Sequence, residues 1–493
     1  MTMWPESVMP WARRERQEVM TIKGYADLDG IFHPRSVAVI GVSNVPVQAG
    51  LLEPFVTCGF KGNIYPVGRS GGEIFGLKIY PSLSEIPGPV DYAVFGTPAA
   101  SVPSLIEECV RKGVKAASFF TGGFSEVGTA EGKELQARIL GLARKGGMRL
   151  IGPNCLGLYC PGSRIAFIPD PPLGPGPVAL FSQSGGNCVY AIRAGAPRGL
   201  RFSKVASYGN AVDIDESELL EYFAADAETK IIGGYIEGFK DGSRFDRALR
   251  TAASKKPVVI MKGGKTGAGA RSCLSHTGSL AGGDGIWRTV ARRNGALLVA
   301  SMEEMIDSLV TFRFLPPVKG TRAAVVGWGG GASVQAADEC EKEGLTLPCF
   351  PEAVQEEMAN HWMKAGSILD NPVDTVSWTR DPKGFRGVID AVARWDGADV
   401  LILHMGVIGG LMSLAAMLEY LPSVVDTYVE AIKSAGKPAA IILHSNATSD
   451  TWAAFYPEAR KCVDAGVPVY HSFSGAARAI VRYSEWCNRR CAG

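Results

Sequence analysis

The sequence predicts an α/β protein made of three successive modules, each a parallel sheet covered by helices on both faces, and three observations predict it. Short apolar runs alternate with amphipathic stretches through most of the chain, the pattern of strands joined by crossover helices. Several of those runs end in glycine-rich turns that open the next helical stretch, at Gly41–Gly50, Ser182–Gly186 and Gly327–Gly331. The 493 residues correspond to about three domains of ordinary size. The rigid Gly174–Pro177 connector and the restart of the pattern near Thr321 divide the chain into an extension (1–24) and modules 25–172, 173–317 and 318–493.

Composition narrows the function classes. With 60 glycines, 46% hydrophobic and 20% charged residues, the chain has large cores and many tight turns, not extended disorder. A formal charge of +2 without a long basic run argues against nucleic acid or an anionic membrane as partner, so phosphate recognition is local. The eleven cysteines are scattered with no CxxC pair, which excludes a zinc ribbon and a disulfide scaffold and fits reduced thiols in the cytoplasm. The N-terminus lacks the basic-then-apolar order of a signal peptide. The apolar run Leu401–Leu418 contains His404, a Gly-Gly pair and Ser413, and reads as a buried strand, a turn and a helix, not a membrane span.

In the first module the strands are Ser36–Ile40, Asn63–Pro66, Tyr92–Gly96, Ala116–Phe119 and Leu150–Ile151, with Ser101–Lys112 a helix between two of them. Ligands of such sheets bind beyond the C-terminal strand ends. The first strand runs into GVSNVPVQAG, part of a dinucleotide fingerprint. Its third glycine is misplaced and no acidic residue closes the second strand, YPVGRS, so a phosphate-bearing ligand without the ribose carboxylate fits better than NAD. The alternative is a module of this shape with no ligand.

The second module opens with strand Val178–Phe181 and the turn Ser182, Gln183, Ser184, Gly185, Gly186, followed by a helix through Arg193. Free N–H groups and the helix dipole, worth about 0.3–1 kcal/mol, favour an anion there, while a serine N-cap explains Ser182 or Ser184 equally well. Past the acidic run Asp213–Glu221, strand Ile231–Ile236 delivers Glu237 to the mouth of the sheet. Strand Pro257–Met261 then leads into Gly263–Gly283, read as a flexible glycine loop in which a Gly263–Gly269 arm carries His276. A strand-end carboxylate can accept one ring N–H of that histidine; the plainer readings are a helix-capping His276 and a surface Glu237.

The third module has expected strands Arg322–Gly327, Thr346–Cys349, Val400–His404, Ala439–His444 and Val467–Tyr470, with Asn371–Asp374 as a turn. Two strands end alike in His404 and His444, without metal-ligand spacing, so no metal site is predicted.

GVSNVPVQAG, GFKGNIYPV, LKIYPSLSEIP, PVDYAVFGTPAASVP and IGPNCLG resemble the CoA-binding domain of the NDP-forming acyl-CoA synthetases, relatives of the succinyl-CoA synthetase alpha chain, and SHTGSLAG resembles their phosphorylated-histidine loop. The resemblance implies a Rossmann-like CoA-binding domain followed by two flavodoxin-like domains. It places Gly41, Ser43, Pro46 and Gly50 along the CoA phosphates, and Thr97, Pro98 and Asn154 along the pantetheine. After Val67, where the family commonly shows Asn-Pro-Lys, this chain has Gly68 and then Arg69 as the available cation. By the same resemblance His276 is transiently phosphorylated and Glu237 orients it. Ser182–Gly186 with Thr277 and Gly278 then cradle phosphate, interconverting acyl-CoA, ADP and phosphate with carboxylic acid, CoA and ATP. No stretch remains for an ATP-grasp module. A beta-type partner is therefore expected to bind ATP or ADP and Mg²⁺ in a hetero-oligomer such as α2β2. A CoA-responsive regulatory protein and an NAD-linked oxidoreductase are the other two functions the sequence admits.

Overall fold

In a computed structural model the described residues are 25–45, 50–277, 284–362, 366–375, 382–405, 414–443 and 449–491. They fall into two compact units: one holds residues up to Arg193 together with Arg201–Met305, the other Ala194–Leu200 and Ile306 onward.

The first unit contains two sheets. In the first, β1 (Ser36–Ile40), β2 (Asn63–Val67), β5 (Tyr92–Phe95), β6 (Ala116–Phe119) and β7 (Arg149–Ile151) pair in the order β2-β1-β5-β6-β7, every pair parallel, while β3 (Glu73–Ile74) and β4 (Leu77–Lys78) form a separate hairpin. Both faces are buried, because Val37 and Val39 enter one core while Ala38 and Ile40 enter another. This two-sided burial is why the strands read as continuous apolar runs. The second sheet consists of β8 (Gly157–Tyr159), β9 (Val178–Ser182), β10 (Phe202–Ser207), β11 (Ile231–Ile236), β12 (Val258–Lys262) and β13 (Leu297–Val299), in the order β13-β12-β11-β9-β10-β8. Strand β8 pairs antiparallel with β10, so the chain leaving β7 adds an edge to the next sheet.

The other unit carries β14 (Ala323–Gly327), β15 (Val373–Asp374), β16 (Val400–Met405), β17 (Ala439–Leu443) and β18 (Val469–Tyr470), in the order β15-β14-β16-β17-β18. Counting only the parallel strands of each sheet, all three orders are 2-1-3-4-5, the doubly wound arrangement of flavodoxin-like folds. The order reverses between β1 and β5, between β9 and β11, and between β14 and β16. Ligand crevices are expected beyond the C-terminal ends of those pairs.

Three expectations are corrected. Thr346–Cys349 is not a strand: Thr346 makes a single bridge to Arg322, and Pro348 has no N–H to continue it. Val373–Asp374 is a strand, not a turn. The side chain of Asn371 accepts from Val325 N at 3.0 Å and donates to Ala323 O at 2.8 Å and Pro348 O at 3.1 Å, replacing a strand's main chain alongside β14. Finally, Gly267–Thr277 is a helix, not part of a glycine loop. Thr266 caps it, with Oγ1 accepting from Gly269 N at 3.1 Å. Ala268, Ala270, Arg271 and Leu274 favour the helix against glycines that cost about 1 kcal/mol each.

The two sheets of the first unit are locked together. Arg149, on β7, donates to Asp213 at 2.8 Å and to both oxygens of Glu218 at 2.9 and 2.8 Å. The chain leaving β10 lies along the 150–154 turn, with Ile214 N donating to Leu150 O at 3.1 Å, Val212 N to Gly152 O at 2.8 Å and Asn210 N to Pro153 O at 3.0 Å. No helix among the described residues is long and apolar enough to cross a membrane.

Candidate active site

At the first switch point the strand ends converge closely. Gly41, just after β1, has φ +100°, and a Cβ there would lie 2.8 Å from Gly96 O, so only glycine fits. Along the same edge Asn154, at φ 57°, donates its N–H to Thr121 O at 3.1 Å, and Thr121 Oγ1 donates to Thr97 O at 2.6 Å. The turns after β5, β6 and β7 are thus hydrogen-bonded in series. Thr97 Oγ1 is buried and has no hydrogen-bond partner among the described residues. Such an atom is costly to leave unmet, and it can donate to or accept from a polar ligand group. Ser43 Oγ accepts from Val45 N at 3.3 Å, Gly50 is open, and Pro98 and Arg69 are exposed. Pro46 lies outside the described residues.

Between β9 and β11 the chemistry differs. Ser182 Oγ donates to Ser184 O at 2.7 Å and accepts from Ser184 N at 3.0 Å, while Ser184 Oγ accepts from Asn187 N at 3.4 Å. Ser184 therefore caps the helix Gly185–Gly195, the plainer role open to it from sequence. Gly185 admits no side chain, since a Cβ would meet Leu156 at 2.6 Å. Gln183, 3% exposed, accepts at Oε1 from Glu237 N at 2.5 Å and Gly238 N at 3.0 Å. Its side chain thus braces the neighbouring strand end.

Glu237 is 3% exposed, not a surface residue. Tyr235, two residues back on β11, donates its hydroxyl to Glu237 Oε1 at 3.1 Å. Lys262, 2% exposed at the end of β12, donates to Glu237 O at 2.8 Å and also to Gly263 O. Burial pulls the Lys262 ammonium below its usual range, against the stabilising charges of Cys273 and Glu237. Burial, and then Glu237, push the Tyr235 hydroxyl up, so it remains a donor. His276 is the penultimate residue of the helix that begins five residues after Lys262. The side chains of His276 and Thr277, and all of Gly278, lie outside the described residues.

Tyr235 and Lys262 escaped the sequence reading. The signal for Tyr235 was the two-residue period of a strand, which sets positions 235 and 237 on one side; for Lys262 it was a lysine closing an apolar run.

In the third sheet, the His404 ring packs edge-on to Phe473, with centroids 5.0 Å apart, and a Cβ on Gly327 would lie 2.3 Å from its Nε2. Among the described residues no group of three or more His, Cys, Asp or Glu is placed to hold a metal ion. His444 lies outside them.

The fold and these two switch-point edges define a CoA-binding α/β module continued into a flavodoxin-like ligase module. A CoA-binding-domain model matches residues 35–161, and a model of the succinyl-CoA-ligase-like flavodoxin domain matches 175–312. The alpha subunit of acetate–CoA ligase [ADP-forming] I from Pyrococcus furiosus is 38% identical over 385 residues, 76% of this chain and 82% of that one. The acetate–CoA ligase [ADP-forming] of Methanocaldococcus jannaschii is 38% identical over 355 residues, 71% of this chain and 49% of that longer protein. A dinucleotide forming acetyl-coenzyme A synthetase 1 from Ca. Korarchaeum cryptofilum, solved with phosphate and ADP, superposes with a TM-score of 0.78 at 28% identity, covering 94% of this chain and 98% of that one. The chain belongs to the ADP-forming acyl-CoA synthetases and corresponds to their alpha subunit.

Proposed function

We propose that this chain binds CoA at the β1/β5 edge and carries a phosphoryl group on His276 at the β9/β11 edge, in an enzyme interconverting acyl-CoA, ADP and phosphate with a carboxylic acid, CoA and ATP. Phosphate attacks the thioester carbonyl, and the C–S bond breaks to give acyl phosphate and CoA thiolate, which is protonated. His276 nitrogen then attacks phosphorus, releasing carboxylate, and ADP takes the phosphoryl group and restores the imidazole. The chain's part is binding, positioning and charge stabilisation. Gly41, Ser43, Pro46, Gly50 and Arg69 border the CoA phosphates, and Thr97, Pro98 and Asn154 the pantetheine. Ser182, Gln183, Ser184, Gly185 and Gly186, with Thr277 and Gly278, form the phosphate cradle at a helix N-terminus. Glu237 holds the imidazole in its reactive orientation.

The observation that carries this reading is the burial of Glu237 at the end of β11, braced by Gln183 and Lys262. A buried carboxylate fixed by its main chain on both sides is built to hold a partner, not to meet solvent. ADP or ATP and Mg²⁺ are assigned to a beta-type ATP-grasp partner in a hetero-oligomer. Support comes from a relative named as an alpha subunit and from a relative of which this chain spans about half. Modules 25–172, 173–317 and 318–493 serve as the CoA-binding, phosphohistidine and third domains of a cytoplasmic enzyme.

The test is His276→Ala in the complex with its partner. Acid-labile phosphate on the chain should vanish and turnover should fall by roughly a thousandfold or more, while CoA affinity stays unchanged. Turnover retained in His276→Ala, or ATP turnover by this chain alone at the rate of the complex, overturns the reading.

A further inference from the structure

The main chain around Glu237 is held from both sides. Gln183 takes its amide at 2.5 Å and Lys262 donates to its carbonyl at 2.8 Å. Both of these contacts are made by main-chain atoms of Glu237. The carboxylate itself accepts from the Tyr235 hydroxyl, 3.1 Å from Oε1. The space for this hydroxyl is made by Gly263: a Cβ there would sit 2.5 Å from Tyr235 Oη and 3.2 Å from Glu237 Cγ. The backbone places Gly263 firmly, its N–H donating to Ile236 O at 2.8 Å.

We propose that Tyr235 is a positioning residue for the transfer of phosphate to the histidine, its hydroxyl fixing Oε1 and the plane of the Glu237 carboxylate so that the other oxygen meets the imidazole. The proposal rests on the pairing of Glu237 with His276 set out above. A hydroxyl donating to a carboxylate favours the ionised form, and Tyr235 makes that donation to Glu237 Oε1. Among the described residues, ionisable groups on three further elements also act on Glu237: Lys262 on β12, Cys273 on the helix Gly267–Thr277, and Tyr208 just after β10. All three are left in place when only the Tyr235 hydroxyl is removed.

The test is Tyr235→Phe in the complex with the partner subunit, following the rate of phosphohistidine formation from ATP against pH. Losing the donor disfavours the charged carboxylate, so the acid limb moves to higher pH. The rate should fall by about tenfold at the acid end of the profile and by less than about twofold at its alkaline end, with CoA affinity unchanged. Gly263→Ala, which pushes the hydroxyl away, should displace the acid limb in the same direction. In a Glu237→Gln background Tyr235→Phe should add less than about a twofold effect, because the two act as one unit. A loss uniform across pH, no loss, or full additivity with Glu237→Gln overturns the proposal. His276→Ala separates this failure from that of the underlying reading. If it keeps full activity the phosphohistidine itself is wrong; if it is inactive while Tyr235→Phe has a wild-type profile, only the role of Tyr235 is lost.

Discussion

The C-terminal edges of the first two sheets share one strand order and one kind of switch point, yet they are built from opposite materials. At the β1/β5 edge the strand ends are closed by glycine, and the turns are linked through the Asn154 N–H, the Thr121 hydroxyl and the Thr97 carbonyl, with the Thr97 hydroxyl buried beside them. At the β9/β11 edge a carboxylate and an ammonium are each at most 3% exposed; a tyrosine donates to the carboxylate, a glutamine takes the main-chain amide of the same residue, and the ammonium donates to its carbonyl. Topology places both crevices and has nothing to say about their chemistry. A surface of neutral donors and acceptors can hold a long, flexible ligand with little desolvation cost. Buried charges are expensive, and at the second edge they stand at the ends of β11 and β12.

The sharpest way to break this division of labour is Gly41→Ala. The new Cβ meets Gly96 O at 2.8 Å at a φ of +100°, a strain on the order of 1–3 kcal/mol delivered directly to the β1/β5 edge. CoA affinity should fall by about thirtyfold or more. Phosphohistidine formation from ATP in the complex should change by less than about threefold. Isothermal titration and the phosphorylation assay read the two effects separately. An equal loss in both means that the edges work as one site, not as a binding edge and a reacting edge.

Charge buried near the second edge should also make stability depend on pH. Glu216, 3% exposed in the first turn of the helix Glu216–Ala225, has its carboxyl pushed from 4.5 up to about 7 by burial, then by the neighbouring Asp215 carboxylate. The folded state therefore holds a proton that the unfolded chain releases between those values. Its stabilisation is full below about pH 4.5 and lost as pH rises through about 7. Glu216→Gln removes the dependence. The variant should match the parent in unfolding free energy near pH 4.5 and exceed it by about 3 kcal/mol near pH 8, from 2.5 pH units at about 1.36 kcal/mol each. Equal differences at both pH values in denaturant unfolding rule out a carboxyl held neutral by burial.

How much of this was legible in the sequence follows from how far each signal reaches. β1, β6 and β11 match their expected residues because two-sided burial demands uninterrupted apolar runs. Glu237 was found by the same local rule, as the first charged residue after such a run. β8 and β15 were missed, since each is defined by what it pairs with: β8 by β10 across the connector, β15 by β14 with the help of the Asn371 side chain. The helix Gly267–Thr277 is hidden in the sequence because its glycines argue for a loop, while the Thr266 cap that starts it is a single residue. No sequence period signals that the Lys262 ammonium lands on the Glu237 carbonyl.

The smallest predicted effect bears on the neutral edge. Thr97 Oγ1 is buried with no hydrogen-bond partner among the described residues, while the Thr97 carbonyl is satisfied by Thr121. Thr97→Val keeps the shape of the side chain and removes only the hydroxyl. In the free protein this deletes an unmet polar atom, so stability should be unchanged or rise by up to about 1 kcal/mol. If the hydroxyl serves the pantetheine, CoA should bind about five- to tenfold more weakly, and dephospho-CoA should lose the same factor, because the effect lies at the amide end of the ligand and not at its phosphates. A gain in stability with no change in CoA affinity would mark Thr97 as a packing residue and move the pantetheine path towards Asn154. A drop in stability would mean that the hydroxyl is already satisfied within the fold. The opposing signs on stability and affinity separate a group kept for a ligand from one kept for the fold.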